Sequence, residues 1–204
     1  AGFEWESHIQ GLLGCAVGGN AGAYGGETKD ILQEVNVLEI SDGKYSLLNL
    51  KSDDCKFGYR DSIFKHRNNL IILSVTLKLT KGSKEESQKK MKEVLAGRLS
   101  KHPHGASAGS FFINPVVKNE KLIKEFEEEK GVKSKEGKLP AGWLIEKADL
   151  KGKKIGGAVV NEMQANYILN TGNATAEDVV ILASLIKQKV RVKLGVQLKE
   201  EVQF

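Results

Sequence analysis

The chain has 204 residues, 40% hydrophobic and 28% charged, with 22 Gly, 3 Pro and 2 Cys; that is enough for one domain with a sizeable core or two small ones. Its apolar runs end after about eight residues, short of the ~20 needed to cross a bilayer, and its spread of Val, Ile and Leu excludes a disordered tail. Lys and Arg exceed Asp and Glu by 31 − 26 = +5, an excess that suits an anionic partner, a phosphorylated small molecule as readily as a nucleic acid.

In chain order, residues 11–26 (GLLGCAVGGNAGAYGG) come first, a glycine cluster too dense for the interior of a helix or strand. The backbone there either makes a tight buried crossing or lies against something flat or anionic. From Glu34 to Leu79 the pattern is β. VNVLEI and YSLLNL flank Asp42-Gly43 as a hairpin, and LIILSVTLKL (70–79) is a further strand. Between them FGYRDS (57–62) forms a polar loop. The charged run 81–90 opens a helix with Met91, Val94, Leu95 and Leu99 at helical spacing, and it is read as the boundary between two domains.

The second half mixes helix and strand. An exposed helix is expected around Leu122, Ile123 and Phe126, and another after Pro140 with Trp143, Leu144 and Ile145. Short strands at AVV and ANYIL precede a helix opened by a Thr175/Asp178 capping box, with Val179, Leu182, Ile186 and Val190 as its core stripe.

Standard catalytic machinery is missing from the sequence. There is no GxSxG elbow, no GxxxxGK[ST] phosphate loop and no full GxGxxG. His102 and His104 have no third ligand at zinc spacing, so no metal site is expected. Cys15 and Cys55 lack CxxC spacing and read as reduced thiols of a cytoplasmic protein; the first residues carry no signal-peptide pattern. Ser110, in SAGSFFINP (107–115), reads on its own as a turn serine.

Taken together, the segments resemble the UDP-N-acetylenolpyruvoylglucosamine reductase family over nearly the whole chain. IQGLLGCAVGGNAGAYGGE is similar to that family's flavin-contacting IPGxVGGAxxxNAGAYGxE, FGYRDS to FxYRxS, and SAGSFFINP to SAGSxFKNP. AGWLIEKADLKGKKIGGA, NYILNTGNATAEDV and GVQLKEEV follow in the family's order. Gln10, Cys15, Gly19 and Ile113 depart from its usual residues.

The resemblance implies an α+β fold: a partial FAD-binding domain of the vanillyl-alcohol-oxidase-like type over residues 1–95, then an α/β substrate-binding domain over 96–204. It implies FAD and NADPH as cofactors, a UDP-sugar substrate, a monomer, and no nucleic-acid or membrane partner. By motif, Arg60 is the cation on the substrate carboxylate, Ser110 the proton donor and Glu201 its helper, with neighbouring Glu200 as the inert control. Gly11, Gly14, Asn20, Ala21, Gly22, Tyr24 and Gly25 would contact the flavin; Lys101, Asn114 and Gln164 would contact substrate. The family's N-terminal pyrophosphate-binding loop has no counterpart here, so the chain is expected to be a fragment of the enzyme. The short passage from the 70–79 strand into the next helix implies the class without an extra tyrosine loop. Two rivals remain: another flavoprotein of this fold, and a non-enzymatic basic module, although its lysines are interleaved with Glu and no aromatic pair is spaced for base stacking.

Overall fold

The computed structural model describes every residue except Gln10, His102, His104 and Phe204, and all side chains of the remainder except that of Lys101. The histidine pair and the departure at Gln10 therefore lie outside the described residues, as does the Lys101 side chain. The chain divides into two compact units, Ala1–Ser100 and Lys101–Phe204.

In the first unit, α1 (Leu13–Gly18) leads to a two-stranded hairpin, β1 (Gly22–Ala23) and β2 (Gly26–Glu27), and then to α2 (Thr28–Ile31). The long antiparallel pair β3 (Leu32–Ser41) and β4 (Lys44–Lys51) turns at Asp42 and Gly43, both at positive φ (49° and 71°), the geometry that an Asp-Gly pair favours in a two-residue hairpin. β5 (Leu70–Leu77) joins the other edge of β3, giving the order β4-β3-β5. Val17, Leu32, Val35, Val37, Cys55 and Leu70 form the core beneath it. The charged run at 81–90 opens a helix, as the sequence implies. Ser83 Oγ accepts from the Glu86 N–H at 3.1 Å and opens α3 (Lys84–Lys101).

The second unit is built on an antiparallel sheet, so its helices and strands combine in the α+β manner. Its strands are β6 (Ala106–Ser110), β7 (Lys154–Ile155), β8 (Ala158–Val160) and β9 (Tyr167–Asn170), in the order β6-β9-β8-β7. The helices are α4 (Glu120–Lys130), α5 (Ala141–Lys147) and α6 (Ala176–Leu194). The expected capping box is present at the start of α6: Thr175 Oγ1 accepts from Asp178 N–H, and the Asp178 carboxylate accepts from Thr175 N–H. Leu182, Ile186 and Val190 are fully buried, with Phe112, Leu139, Leu144, Ile145, Val160 and Leu198 among their neighbours in the core. Among the described residues, no helix is long and apolar enough to cross a membrane.

Candidate functional site

In the first unit the YRDS loop is stitched to the glycine segment. Arg60, itself at φ 57°, donates from Nη2 to the Gly22 carbonyl at 2.6 Å and from Nη1 to the Asn20 carbonyl at 3.5 Å. Ser62, 1% exposed, donates its hydroxyl to the Gly18 carbonyl at 2.6 Å. Asn20, fully buried, answers from the other side: Nδ2 donates to the Gly58 carbonyl at 2.7 Å and to Glu27 at 3.1 Å, while Oδ1 accepts from the Lys29 N–H. The Asn20 side chain is thus committed within the protein, and its backbone N–H also donates to the Val17 carbonyl at 3.1 Å.

The charge around Arg60 is balanced by two carboxylates. Burial pushes the Glu6 carboxyl up, opposed by the positive charges of Arg98 and Arg60. Burial also acts on Glu27, but its bonds to Lys29 and Asn20 outweigh it and hold the group below the usual range.

The glycines divide into two sets. A side chain on Gly22 would stand 2.9 Å from the Glu27 side chain, and one on Gly26 would collide with the Trp5 indole. Those two positions are glycine for packing, whereas a Cβ on Gly14 in α1 would meet Ile72 at an ordinary contact distance of 3.9 Å. Gly11 (φ 146°) and Gly25 (φ 85°) are different: a Cβ there would meet nothing within 4 Å among the described residues. Their backbone faces are open, as a planar ring approaching the chain requires, and the segment fits a flavin at those two positions. Ala21 accepts from both the N–H and the hydroxyl of Thr28, and Tyr24 lies against α3 with its ring under the Arg98 guanidinium at 5.3 Å.

In the second unit, Ser110 ends β6 after a register shift between Ser107 and Ser110 that carries Gly109 at φ 79°. The bulge turns the chain so that Ser110 is exposed while Phe111 and Phe112, the next two residues, are both buried. Segment 111–113 then pairs with the C-terminal stretch. Glu201 donates its N–H to the Phe111 carbonyl and Ile113 its N–H to the Lys199 carbonyl, both at 2.9 Å, around a Phe112/Glu200 bridge. The ladder therefore places half-buried Glu201 one row from Ser110.

Asn114 accepts the Ala141 N–H at 2.9 Å and so caps α5. Gln164 is half-buried against Gly142 of that helix, its Oε1 facing the Asn166 N–H at 3.4 Å. Backbone pairing thus ties Glu201 to the residue after Ser110, and Asn114 and Gln164 both lie against α5; Arg60 and the glycine segment belong to the other unit. Glu200, expected to be inert, pairs with Lys187 at 2.6 Å. Asn166 was not singled out by sequence; the only signal was its place inside the motif NYI. Among the described residues no group of His, Cys, Asp and Glu could hold a metal ion.

The family model described as UDP-N-acetylenolpyruvoylglucosamine reductase, C-terminal domain, matches residues 101–204. The chain is 41% identical to the UDP-N-acetylenolpyruvoylglucosamine reductase of Photobacterium profundum, covering 100% of this chain and 65% of the relative. It is 40% identical to the enzyme of that name from Caldanaerobacter subterraneus subsp. tengcongensis, covering 100% of this chain and 59% of the relative. A crystal structure of UDP-N-acetylenolpyruvylglucosamine reductase from Thermus caldophilus superposes with TM-score 0.73 at 31% identity, covering 100% of this chain and 64% of that one. The chain thus spans about two thirds or less of the length of these relatives. With one unit matched end to end by the family model and its whole length aligned to proteins of that name, the chain belongs to the UDP-N-acetylenolpyruvoylglucosamine reductase family.

Proposed function

We propose that the protein carrying this chain reduces UDP-N-acetylglucosamine enolpyruvate to UDP-N-acetylmuramate, with NADPH as reductant and FAD as mediator, in cytoplasmic peptidoglycan precursor synthesis. The observation that carries the reading is the ladder that joins the Ser110 strand to the Glu201 strand, bringing two motif residues from opposite ends of one unit to adjacent rows.

When bound, FAD supplies two-electron transfer from NADPH to the substrate, and the open backbone at Gly11 and Gly25 is where this chain would hold its ring. The methylene carbon of the enolpyruvyl group gains a hydride. Its π-electron pair moves toward the carbon bearing the carboxylate, giving an enolate. Arg60, with its planar fork of donors, grips that carboxylate and offsets the developing charge. Ser110 then gives its hydroxyl proton to the enolate carbon and recovers one from solvent, and Glu201 assists the transfer. Asn114, which also caps α5, and Gln164 contact the sugar or the uracil side of the substrate. Lys101 serves the substrate phosphates.

The chain by itself is proposed to be inactive and the full protein monomeric. The test is to mix the protein at its full natural length with NADPH and the enolpyruvyl UDP-sugar. Oxidation of NADPH that depends on that sugar, with a product two hydrogens heavier, supports the reading. A yellow protein that oxidises NADPH while leaving the sugar unchanged would favour another flavoprotein activity of the same fold.

A further inference from the structure

We propose that Asn166 is a positioning residue for Ser110 and Glu201: its buried carboxamide fixes the register in which the serine strand meets the C-terminal strand. What those two residues do rests on the reductase reading; how they are held rests on geometry alone.

Regular pairing of β6 with β9 ends at Ser110 and Tyr167. One step further, the Asn166 carbonyl accepts the Phe111 N–H at 2.8 Å. The Asn166 side chain then supplies the next rung by itself. Its Oδ1 accepts the Phe112 N–H, and its Nδ2 donates to the Phe112 carbonyl, both at 2.9 Å. A carboxamide carries the same donor and acceptor as a peptide group, so it stands in for a missing strand residue. Phe112 is 1% exposed and Asn166 5% exposed, so water cannot take over these bonds.

The usual alternation of buried and exposed residues does not mark this register. Strands normally alternate buried and exposed residues, and a slip by one residue reverses the faces. Here two consecutive phenylalanines are buried, edge to face at 5.0 Å. A slip by one residue would bring Ser110 or Ile113 into one of the two Phe sites and move a Phe out of the core, and it would also carry Ser110 to the other face and move the Glu201 bond from Phe111. Beside that cost, the register is marked by a polar group that recognises one peptide unit: the Asn166 carboxamide is bonded to both ends of residue 112.

The decisive variants are Asn166→Ala, which loses both bonds, and Asn166→Asp, whose neutral carboxylic acid restores one donor and one acceptor but whose ionised form restores only acceptors. Two measurements are made on the protein at its full natural length. The first is the rate at which the enolpyruvyl UDP-sugar reoxidises NADPH-reduced enzyme, set against the rate of reduction by NADPH. The second is amide hydrogen exchange at Phe112 and Glu201, with Val160 as a reporter in the same unit. At pH 8, Asn166→Asp is expected to slow the sugar half-reaction about 10²-fold, the scale of a roughly 1 Å misplacement, and to leave the NADPH half-reaction within about twofold. Lowering the pH should restore the aspartate variant but not the alanine one. Phe112 and Glu201 should lose protection together while Val160 keeps it. Equal slowing of both halves, no restoration at lower pH, or loss of protection at Val160 as great as at Glu201 would overturn the proposal. If Ser110→Ala leaves the sugar half-reaction untouched, the reductase roles fail, and the exchange pattern still decides the register claim.

Discussion

Arg60 donates to the Gly22 carbonyl at 2.6 Å, so the arginine expected to meet the substrate carboxylate is also a brace of the glycine segment expected to meet the flavin. One guanidinium can do both because it has five N–H donors in a plane. Replacing it with a single ammonium forces a choice. Arg60→Lys is expected to lower stability by about 1.5–3 kcal/mol, the worth of a charged hydrogen bond, and to weaken flavin retention as well as substrate binding. Thermal unfolding and flavin content after gel filtration, measured on the full-length protein, check both effects.

Asn20 offers a separable test of backbone strain and hydrogen bonding. It sits at φ 43° with its amide fully engaged. Asn20→Ala loses the bonds and strains the backbone, whereas Asn20→Gly loses the bonds alone. Both should destabilise the first unit, by about 1–3 kcal/mol for each buried group left unpaired, with alanine worse than glycine by about 1 kcal/mol. Chemical denaturation curves of the two variants give the difference.

The two thiols should behave differently. Cys55 is fully buried, and that burial, with Asp54 nearby, pushes its thiol up to about 11; Cys15 is exposed. A thiol reagent at pH 8 is therefore expected to modify Cys15 quickly and Cys55 only on unfolding. Peptide mass mapping after a short exposure would show which cysteine is labelled.

Glu4 supplies a pH signature. Its carboxylate accepts from the Ser87 hydroxyl and the Gly2 N–H, both at 2.7 Å, and these bonds lower its value to about 2. A depressed folded-state value contributes stability above the ordinary range, near 4.5, and that contribution is lost as pH falls toward 2. The full-length protein should therefore exceed its Glu4→Gln variant in Tm at pH 6, with the gap closing between pH 4.5 and 2. A gap that stays constant with pH would contradict the assignment.

Local chemistry was legible in the sequence where it acts over a few residues. The Asp42-Gly43 turn, the Thr175/Asp178 box and the Pro140 start of α5 each follow from side chains next to the backbone they serve. The roles of individual glycines were not legible, because they depend on how the hairpin folds back on itself, with Gly22 against Glu27 and the Gly26 carbonyl, and on a contact from Trp5 to Gly26. Asn166 was missed for the same reason: the peptide group it recognises belongs to Phe112, in an earlier segment. Glu200, the expected catalytic control for Glu201, pairs with Lys187 of α6, a contact that no local pattern announces. The helix that the charged run at 81–90 opens was legible from the spacing of Met91, Val94, Leu95 and Leu99 behind it.

The central claim is that Ser110 delivers the proton, and the most direct measurement is stopped-flow kinetics of Ser110→Ala in the full-length protein, with the two half-reactions followed apart. Reduction by NADPH involves no enolate and is expected to stay near the wild-type rate. Reoxidation by the enolpyruvyl UDP-sugar should slow by about 10²–10⁴-fold, the usual contribution of a positioned general acid. Glu201→Gln should impair the same half, and by more than Glu200→Gln, whose cost should fall mainly on stability. Equal slowing of both halves by Ser110→Ala, or a larger kinetic defect from Glu200→Gln than from Glu201→Gln, would contradict the account.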